Sequence, residues 1–482
     1  MSQNKVKLQR TVIILVISIL NLFRLIALLS IFLPLYPFLK KRVIYLFLKL
    51  AGPSFIKLGQ ALSTRPDLVG EPLAETLAHF QDRLPPFSSR KVRKILRREF
   101  GKNFEKKFVD FNYVAQASAS IAQVHKAKIF IEKNNGAQVI DGKKGEWQIV
   151  AVKILRPNIK RIIARDIATL ELIANLARLF SKFSAKTLKD INSVLKESTK
   201  SELNLLKEAS NAVRLKNNLK DLQGFYVPEI FLKFSTPNIL VSEWINGVPF
   251  SNKRAIHNTT IDKQLVAKNL VISYFTQVYS DGFFHADMHP GNLFLMENDA
   301  NDAQNNSLKN NIKQGAKAVD IAVVDFGIMG EIDKKTRLAV AEIFIGFLHK
   351  DYKRVAKLHI DAGLVPKGTS LYDLSLSCQK IGETIVGSSI KEISLASLLM
   401  HLIEMTREYQ MDTRPDLLLL QKTLLLVEGV GVMLDPNLNI WELARPWVKE
   451  WAKKNIGFDA KIRDALVDLF DAVKGFINQD HV

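Results

Sequence analysis

Eight consecutive residues, His285-Ala286-Asp287-Met288-His289-Pro290-Gly291-Asn292, followed downstream by Asp325-Phe326-Gly327, constrain this chain more than any other feature. Phosphoryl transfer from Mg-ATP needs an acid that accepts or orients a hydroxyl proton, and oxygen donors that hold a hard cation. Asp287 is the candidate base or substrate orienter, and Asn292 and Asp325 are the candidate Mg²⁺ ligands. Either motif alone recurs by chance, and a lone Asp-Phe-Gly is usually an ordinary turn. Both in order, behind a lysine-bearing strand, point to Mg-ATP. His285 is expected to brace the loop by hydrogen bonding. A zinc site from His285, Asp287 and His289 is the weaker alternative, because phosphoryl transfer accounts for all three.

The lysine strand is Ile149-Val150-Ala151-Val152-Lys153-Ile154-Leu155, a β-branched apolar run that reads as buried. A Lys inside such a run must keep its charge paired, because an unpaired buried ammonium is costly. Protein kinases meet that need with a helix carboxylate and the nucleotide phosphates. The helical stretch of roughly 187 to 220 offers Glu202 and Glu208 among periodic Leu and Val. Glu208 is the expected partner of Lys153. Glu202, six residues earlier, would sit about 120° away around a continuous helix and needs another role. These motifs predict an α+β, bilobal protein-kinase-like fold with Mg-ATP held between its lobes. Glu243 to Ile245, after the apolar Ile239-Leu240-Val241, fit a linker that meets adenine by backbone hydrogen bonds.

Ahead of the lysine strand, the stretch expected over the phosphates is Ala117-Ser118-Ala119-Ser120-Ile121-Ala122-Gln123-Val124-His125, with no glycine. Glycine lets amides close on a phosphate; alanine does so less freely, and serine hydroxyls could compensate. The residues leave two readings open: a nucleotide loop over 117–124, or a small-residue turn between strands.

With these motifs the chain resembles the UbiB family of atypical kinase-like proteins, which support ubiquinone biosynthesis in bacteria and mitochondria. That family carries an alanine-rich loop in place of the glycine-rich one. It also has a Lys-x-Gly-Gln motif on an N-terminal extension, matched by Lys57-Leu58-Gly59-Gln60. Its Glu-x-Asp motif corresponds to Glu202-Leu203-Asn204, where Asn stands in place of Asp and removes a second acid. The resemblance covers about residues 50 to 450. It implies that the extension folds over the active site with Lys57 paired to Glu202 and Gln60 beside it.

The extension also makes sense residue by residue. Gly52-Pro53 can open a helix, with Pro accepted in its first turn. Phe55, Leu58 and Leu62 then share one face, and Lys57, Gln60 and Thr64 another, which by itself is equally a solvated polar stripe. After Asp-Phe-Gly, Ile328-Met329-Gly330-Glu331 leads into Asp333, an N-cap candidate, and an apolar-periodic helix. That leaves no long peptide-docking segment, so small-molecule, lipid or water acceptors are expected rather than protein ones.

The chain of 482 residues suits two lobes with attachments. Its boundaries read as a membrane-associated segment over 1–50, the helical extension over 51–110, a kinase-like N-lobe over 111–247 and a mostly helical C-lobe over 248–482. From Thr11 to Leu39 the chain is apolar apart from a few polar residues and Arg24, with basic residues on both sides. That is long enough to span a bilayer, although Arg24, Pro34 and Pro37 speak against one straight helix, and an interfacial anchor or a buried hairpin are the alternatives. Lys40 to Arg42 would keep the body cytoplasmic. The tail over 458–478 reads as an amphipathic helix, and Leu417 to Leu434 as a core helix because Gln421, Lys422 and Glu428 interrupt it. Residues 132–147 read as a hairpin excursion, and the polar stretch over 297–318 as a disordered insertion. The single cysteine, Cys378, excludes an intramolecular disulfide. The net charge of +20 comes with no nucleic-acid motif and is spread, which fits a solvated basic surface or an anionic membrane.

The expectation is a membrane-associated atypical kinase or ATPase with ATP and Mg²⁺ as cofactors. Resemblance supplies its setting: ubiquinone-biosynthesis enzymes or isoprenoid and phenolic quinone precursors as partners, at the bacterial inner membrane rather than the mitochondrial one. An anionic membrane surface and a homodimer complete the partners, without nucleic acid. The alternatives are a small-molecule kinase of the aminoglycoside or choline kinase type and a non-catalytic, ATP-gated lipid-binding scaffold.

Overall fold

The computed structural model describes residues 18–28, 36–63, 84–132, 138–140, 143–178, 203–259, 261–298, 318–348, 350–386, 415–436 and 440–455, with scattered positions between them. Its strands in chain order are β1 (Ala117–Ser118), β2 (Ala122–Glu132), β3 (Gln138–Ile140), β4 (Lys143–Leu155), β5 (Phe225–Tyr226), β6 (Ile239–Glu243), β7 (Val248–Pro249), β8 (Phe283–His285), β9 (Leu293–Asn298), β10 (Ala318–Val323) and β11 (Met329–Glu331). The helices that matter here are α1 (Ser18–Leu28), α2 (Tyr36–Ala51), α3 (Pro53–Leu62), α4 (Ser89–Phe100), α5 (Ile159–Ala177) and α6 (Leu205–Asn218). They continue with α7 (Lys263–Phe275), α8 (Lys334–Leu348), α9 (Tyr352–Asp361), α10 (Leu371–Val386), α11 (Pro415–Leu434) and α12 (Ile440–Asn455). Two compact units divide the chain: Met1–Val213 with Pro228–Trp244, and Arg214–Val227 with Ile245–Val482.

The first unit is built on an antiparallel sheet in the order β1-β2-β4-β3, with β6 also pairing β4. β2 and β4 stay in register from Ala122↔Leu155 to Glu132↔Gly145. Of the excursion expected over 132–147, the described residues show β3 pairing antiparallel with the start of β4, Gln138↔Gly145 to Ile140↔Lys143, as a hairpin requires, while 133–137 and 141–142 lie outside the described residues. Because side chains alternate along a strand, β4 serves two faces. Val150, Val152 and Ile154 pack with Val92, Ile95 and Leu96 of α4. Leu155, one face over, packs with Ile159, Ile163, Leu205 and Ala209.

The N-terminal helices join this unit through both apolar and polar contacts. Phe55, Leu58 and Leu62 are buried with Leu25, Leu77, Leu170 and Leu195, the face that the heptad-like spacing selects. Gly52 turns the chain between α2 and α3 at φ +118°, a conformation that L side chains rarely adopt. The Asn21 amide donates to Asp166 and Thr169, both at 3.1 Å. Asp166 is fully buried and also accepts from Ser54 and from Arg165 at 2.6 Å. Arg24, the charge that stood out in the apolar stretch, donates to the carbonyls of Leu50 and Ala51 at the end of α2. A cation there meets carbonyls that no helical N–H reaches.

Of the apolar segment expected over 11–39, residues 11–17, 29 and 31–35 lie outside the described residues, and the described part includes the short apolar helix Ser18–Leu28. Among the described residues one helix is long and apolar enough to cross a membrane by length and composition, Asp416–Leu434. This is the stretch expected to be a core helix, and Tyr274 of the buried α7 donates to its Leu420 carbonyl at 3.3 Å while Thr423 is fully buried.

The second unit holds a sheet in the order β5-β10-β9-β7 and a two-stranded ribbon of β8 and β11. β9 and β10 pair from Leu293↔Val323 to Asn298↔Ala318, so the strand expected before Asp325 is present. Residues 299–317 of the insertion between them, and the 458–478 tail, lie outside the described residues. Beyond β11, the capping expected of Asp333 is present: its carboxylate accepts from the Thr336 N–H at 2.9 Å at the start of α8. Helices α8, α9 and α10 bury Phe347, Val355, Leu374 and Cys378 in a second core.

Candidate active site

In the first unit the alternation of β4 places Lys153 on the face opposite Val152 and Ile154. Helix α6 covers that face with Leu205, Glu208, Ala209 and Ala212, all buried at helical spacing. The Lys153 ammonium donates to both Glu208 oxygens, at 2.7 and 3.0 Å. The two side chains are only 15% and 4% exposed, so each charge depends on the other.

Helix α6 opens at Leu205, and the Asn204 side chain accepts from the Leu206 N–H at 3.2 Å. Asn in place of Asp keeps this capping ability, since both offer a side-chain oxygen. The single continuous helix expected through 202 and 208 is therefore corrected: Leu203 and Asn204 interrupt it. Glu202 itself lies outside the described residues. Lys57 and Gln60 are half-buried on α3, away from its apolar face.

The alanine-rich stretch is a tight hairpin, with Ala117 opposite Val124, Ser118 opposite Gln123, and the Ala119 N–H donating to the Ala122 carbonyl at 2.8 Å. Ile121 and Ala122 are buried in the core around Leu155, and Ser120 is fully buried. Gln123 faces away from Lys153: its amide is committed to Phe87 and to the buried His125. Val124 sits directly across from Lys153. Arg156 closes the hairpin, donating to the Ala119 carbonyl at 2.8 Å, the Ser118 hydroxyl at 2.9 Å and the Pro85 carbonyl at 3.0 Å. Any phosphate contact from this loop thus falls mainly to its backbone. At the far end of β6 the N–H groups of Glu243 and Trp244 are committed to Glu229 and Ile149 carbonyls. The two units divide between Trp244 and Ile245.

In the second unit, α7 runs into a π-helical turn, Thr276–Asp281, that ends at Gly282 with φ +67°. A Cβ at Gly282 would stand 2.5 Å from the Ile332 carbonyl oxygen. The turn points the Gln277 amide oxygen at the His285 N–H, 3.0 Å away. His285 is fully buried, and burial holds its imidazole below the ordinary value despite Asp287 and Asp325 nearby. Its Nδ1 accepts from the Asp287 N–H, so Nε2 carries the proton and donates to the Asp325 carbonyl at 2.9 Å. With both ring nitrogens committed, His285 is a brace and not a zinc ligand, and no metal-binding cluster of His, Cys, Asp or Glu occurs among the described residues.

That brace joins the two motifs. The Asn292 carbonyl also accepts from Val324 N–H at 2.9 Å, which ties the loop to the approach of Asp325. Asp325 is exposed at φ +67°, a strained backbone state for a non-glycine residue, while Phe326 beside it is buried. The Asn292 amide nitrogen donates to the Asp287 carbonyl at 3.0 Å, leaving its side-chain oxygen for a cation. Asp287 accepts from the Lys422 ammonium of α11 at 2.9 Å. Burial works to raise the Asp287 carboxyl, but Lys422, with His289 and His285, outweighs it and holds the carboxyl below its ordinary value.

Lys422, Arg156 and Gln277 were not among the site residues expected from sequence. Lys422 had a detectable signal, a charge inside a near-continuous apolar helix; Arg156 and Gln277 had none.

Comparison with known proteins agrees with this architecture. Residues 79–359 match the ABC1 atypical kinase-like domain, and residues 378–439 match the UbiB helical domain. A probable protein kinase UbiB from Erwinia tasmaniensis is 37% identical over 87% of this chain and 71% of its own. One from Pasteurella multocida is 35% identical over 89% of this chain and 80% of its own. A solved Mycobacterium tuberculosis structure, the Rv3197–erythromycin complex, covers 86% of this chain at 24% identity with a TM-score of 0.49, too low to add to the argument. A kinase-like domain implies ATP binding, and the domain match includes both the Lys153–Glu208 pair and the loop from His285 to Asn292. The chain belongs to the UbiB family of ABC1 atypical kinase-like proteins.

Proposed function

We propose that this chain is an atypical kinase or ATPase that binds Mg-ATP, works at an anionic membrane surface and promotes ubiquinone biosynthesis. It would act on pathway enzymes or on isoprenoid and phenolic intermediates. The observation that carries the choice of a non-peptide acceptor is the shortness of the chain after Asp-Phe-Gly. Met329 already pairs with His285 in β11, and α8 begins at Lys334.

The donor set suits the cofactors. The Asn292 side-chain oxygen and the exposed Asp325 carboxylate are hard ligands of the kind Mg²⁺ takes, and the ion would neutralise phosphate charge. Lys153, held by Glu208, would meet phosphate oxygens. Asp287 positions the attacking hydroxyl or water. Adenine recognition would rest on the Ile245 N–H and main-chain carbonyls of the linker. Exposed Leu20, Phe23 and Ile26 on α1, with Leu46 and Leu50 on α2, support the membrane surface.

The test is nucleotide hydrolysis by the full chain with and without anionic vesicles and a phenolic quinone precursor. Stimulation by both is expected. Indifference to both, with rapid phosphorylation of a small soluble alcohol, would favour the small-molecule kinase. Nucleotide binding without turnover would favour the scaffold.

A further inference from the structure

We propose that Lys422, in the helical region matched as the UbiB helical domain, is a positioning residue for Asp287, so that this region completes the catalytic loop from outside the kinase-like domain. The inference rests on the phosphoryl-transfer reading of Asp287. The loop from His285 to Asn292 contains no Lys or Arg. Its carboxylate would otherwise work beside the phosphates of the nucleotide with no strong cation of its own loop to balance it.

Lys422 supplies that cation across 135 residues of sequence. Its ammonium lies 2.9 Å from Asp287 Oδ1, while Oδ2 stands 3.5 Å from the Asn292 amide nitrogen and 3.7 Å from His289 Nε2. One oxygen is thus engaged firmly and the other only loosely, which leaves Oδ2 as the atom that can accept from an incoming hydroxyl. Lys422 and Asp287 keep 28% and 24% of their side chains exposed, so a ligand can reach the pair. An ammonium has three donors, and among the described residues Lys422 forms this one ion pair.

The position of Lys422 is set by packing and not by its own flexible stem. Leu420, Thr423, Val427 and Val430 of α11 are buried, and Gln264 of α7 donates to Asp435 just past the helix end at 3.2 Å. The helical region thereby fixes the carboxylate's orientation. A displaced α11 would leave Asp287 intact but misaimed, and small misplacements of a reacting group cost on the order of 10²-fold in rate.

The experiment is a double-mutant cycle on the full chain, with turnover, nucleotide affinity and thermal unfolding measured for Lys422→Met, Lys422→Arg, Asp287→Asn and Lys422→Met/Asp287→Asn. Lys422→Met is expected to lower kcat on the order of 10²-fold while nucleotide affinity stays within about twofold, and Lys422→Arg to recover most of the loss. In the Asp287→Asn background Lys422→Met should cost no more. Wild-type kcat in Lys422→Met, an equal further loss in the Asp287→Asn background, or a loss matched by unfolding and unrelieved by Lys422→Arg would each overturn the proposal. Absence of turnover in the wild type would instead defeat the phosphoryl-transfer reading, and the proposal with it.

Discussion

Lys153 and Glu208 are 55 residues apart in sequence, yet the ammonium of one reaches both carboxylate oxygens of the other inside the first unit. The pair exists because β4 alternates its side chains and α6 lays a helical face over the side that carries Lys153.

Removing either partner strips the other, buried charge of this ion pair. Lys153→Met is expected to destabilise the protein by about 3–5 kcal/mol and to weaken nucleotide binding. The double change Lys153→Met/Glu208→Leu should recover much of the stability and none of the binding. Urea unfolding and a fluorescent-nucleotide titration measure the two separately.

Asp325 is expected to act through a cation. Asp325→Asn should weaken the Mg²⁺ dependence of nucleotide binding by at least about 10–100-fold, the range seen when only an outer-shell partner of a metal ligand is lost. A Mg²⁺ titration at fixed nucleotide reads this directly. Unchanged dependence would remove Asp325 from the metal site.

Arg156 clamps the alanine-rich hairpin with charge-assisted hydrogen bonds to Ala119 and Ser118. Arg156→Ala should cost roughly 2 kcal/mol, since hydrogen bonds to charged groups contribute about 1.5–3 kcal/mol each and the site is partly open to water. Hydrogen exchange should accelerate over residues 117–122 while α4 stays protected.

Asp281 should give stability an unusual pH slope. Burial raises its carboxyl to about 6, against the pull of Arg337. The folded protein therefore binds this proton more tightly than the unfolded chain. Its stabilising contribution is complete below the ordinary Asp value and is lost as pH rises through about 6. Relative to wild type, Asp281→Asn should gain in melting temperature between pH 4 and pH 6.5 and then level off. A difference that stays flat with pH would show that the carboxyl titrates normally.

How much of this was legible varies by residue. Lys153 was readable because a charge within a β-branched run demands a partner, and Glu208 because its helical register puts it with Leu205 and Ala212. The brace on His285 followed from motif spacing alone. The role of Arg24 was hidden: in one dimension it is a charge in an apolar stretch, whereas in the fold it meets the last carbonyls of α2. The break at Leu203 and Asn204 was hidden too, because Asn caps are local choices that helical periodicity does not reveal.

By itself, the sequence determined the kinase-like family and the Lys153–Glu208 pairing, and it nominated the groups for chemistry, since a carboxylate, an amide and a lysine strand are the residue types that a triphosphate and a hard cation call for. Tertiary structure alone decided what holds them. The Lys422 contact to Asp287 and the Arg156 clamp on Ala119 join residues far apart in the chain, while the Gln277 brace reaches His285 across a single π-helical turn; their geometry comes from how helices and strands pack, which no local pattern of residue types encodes.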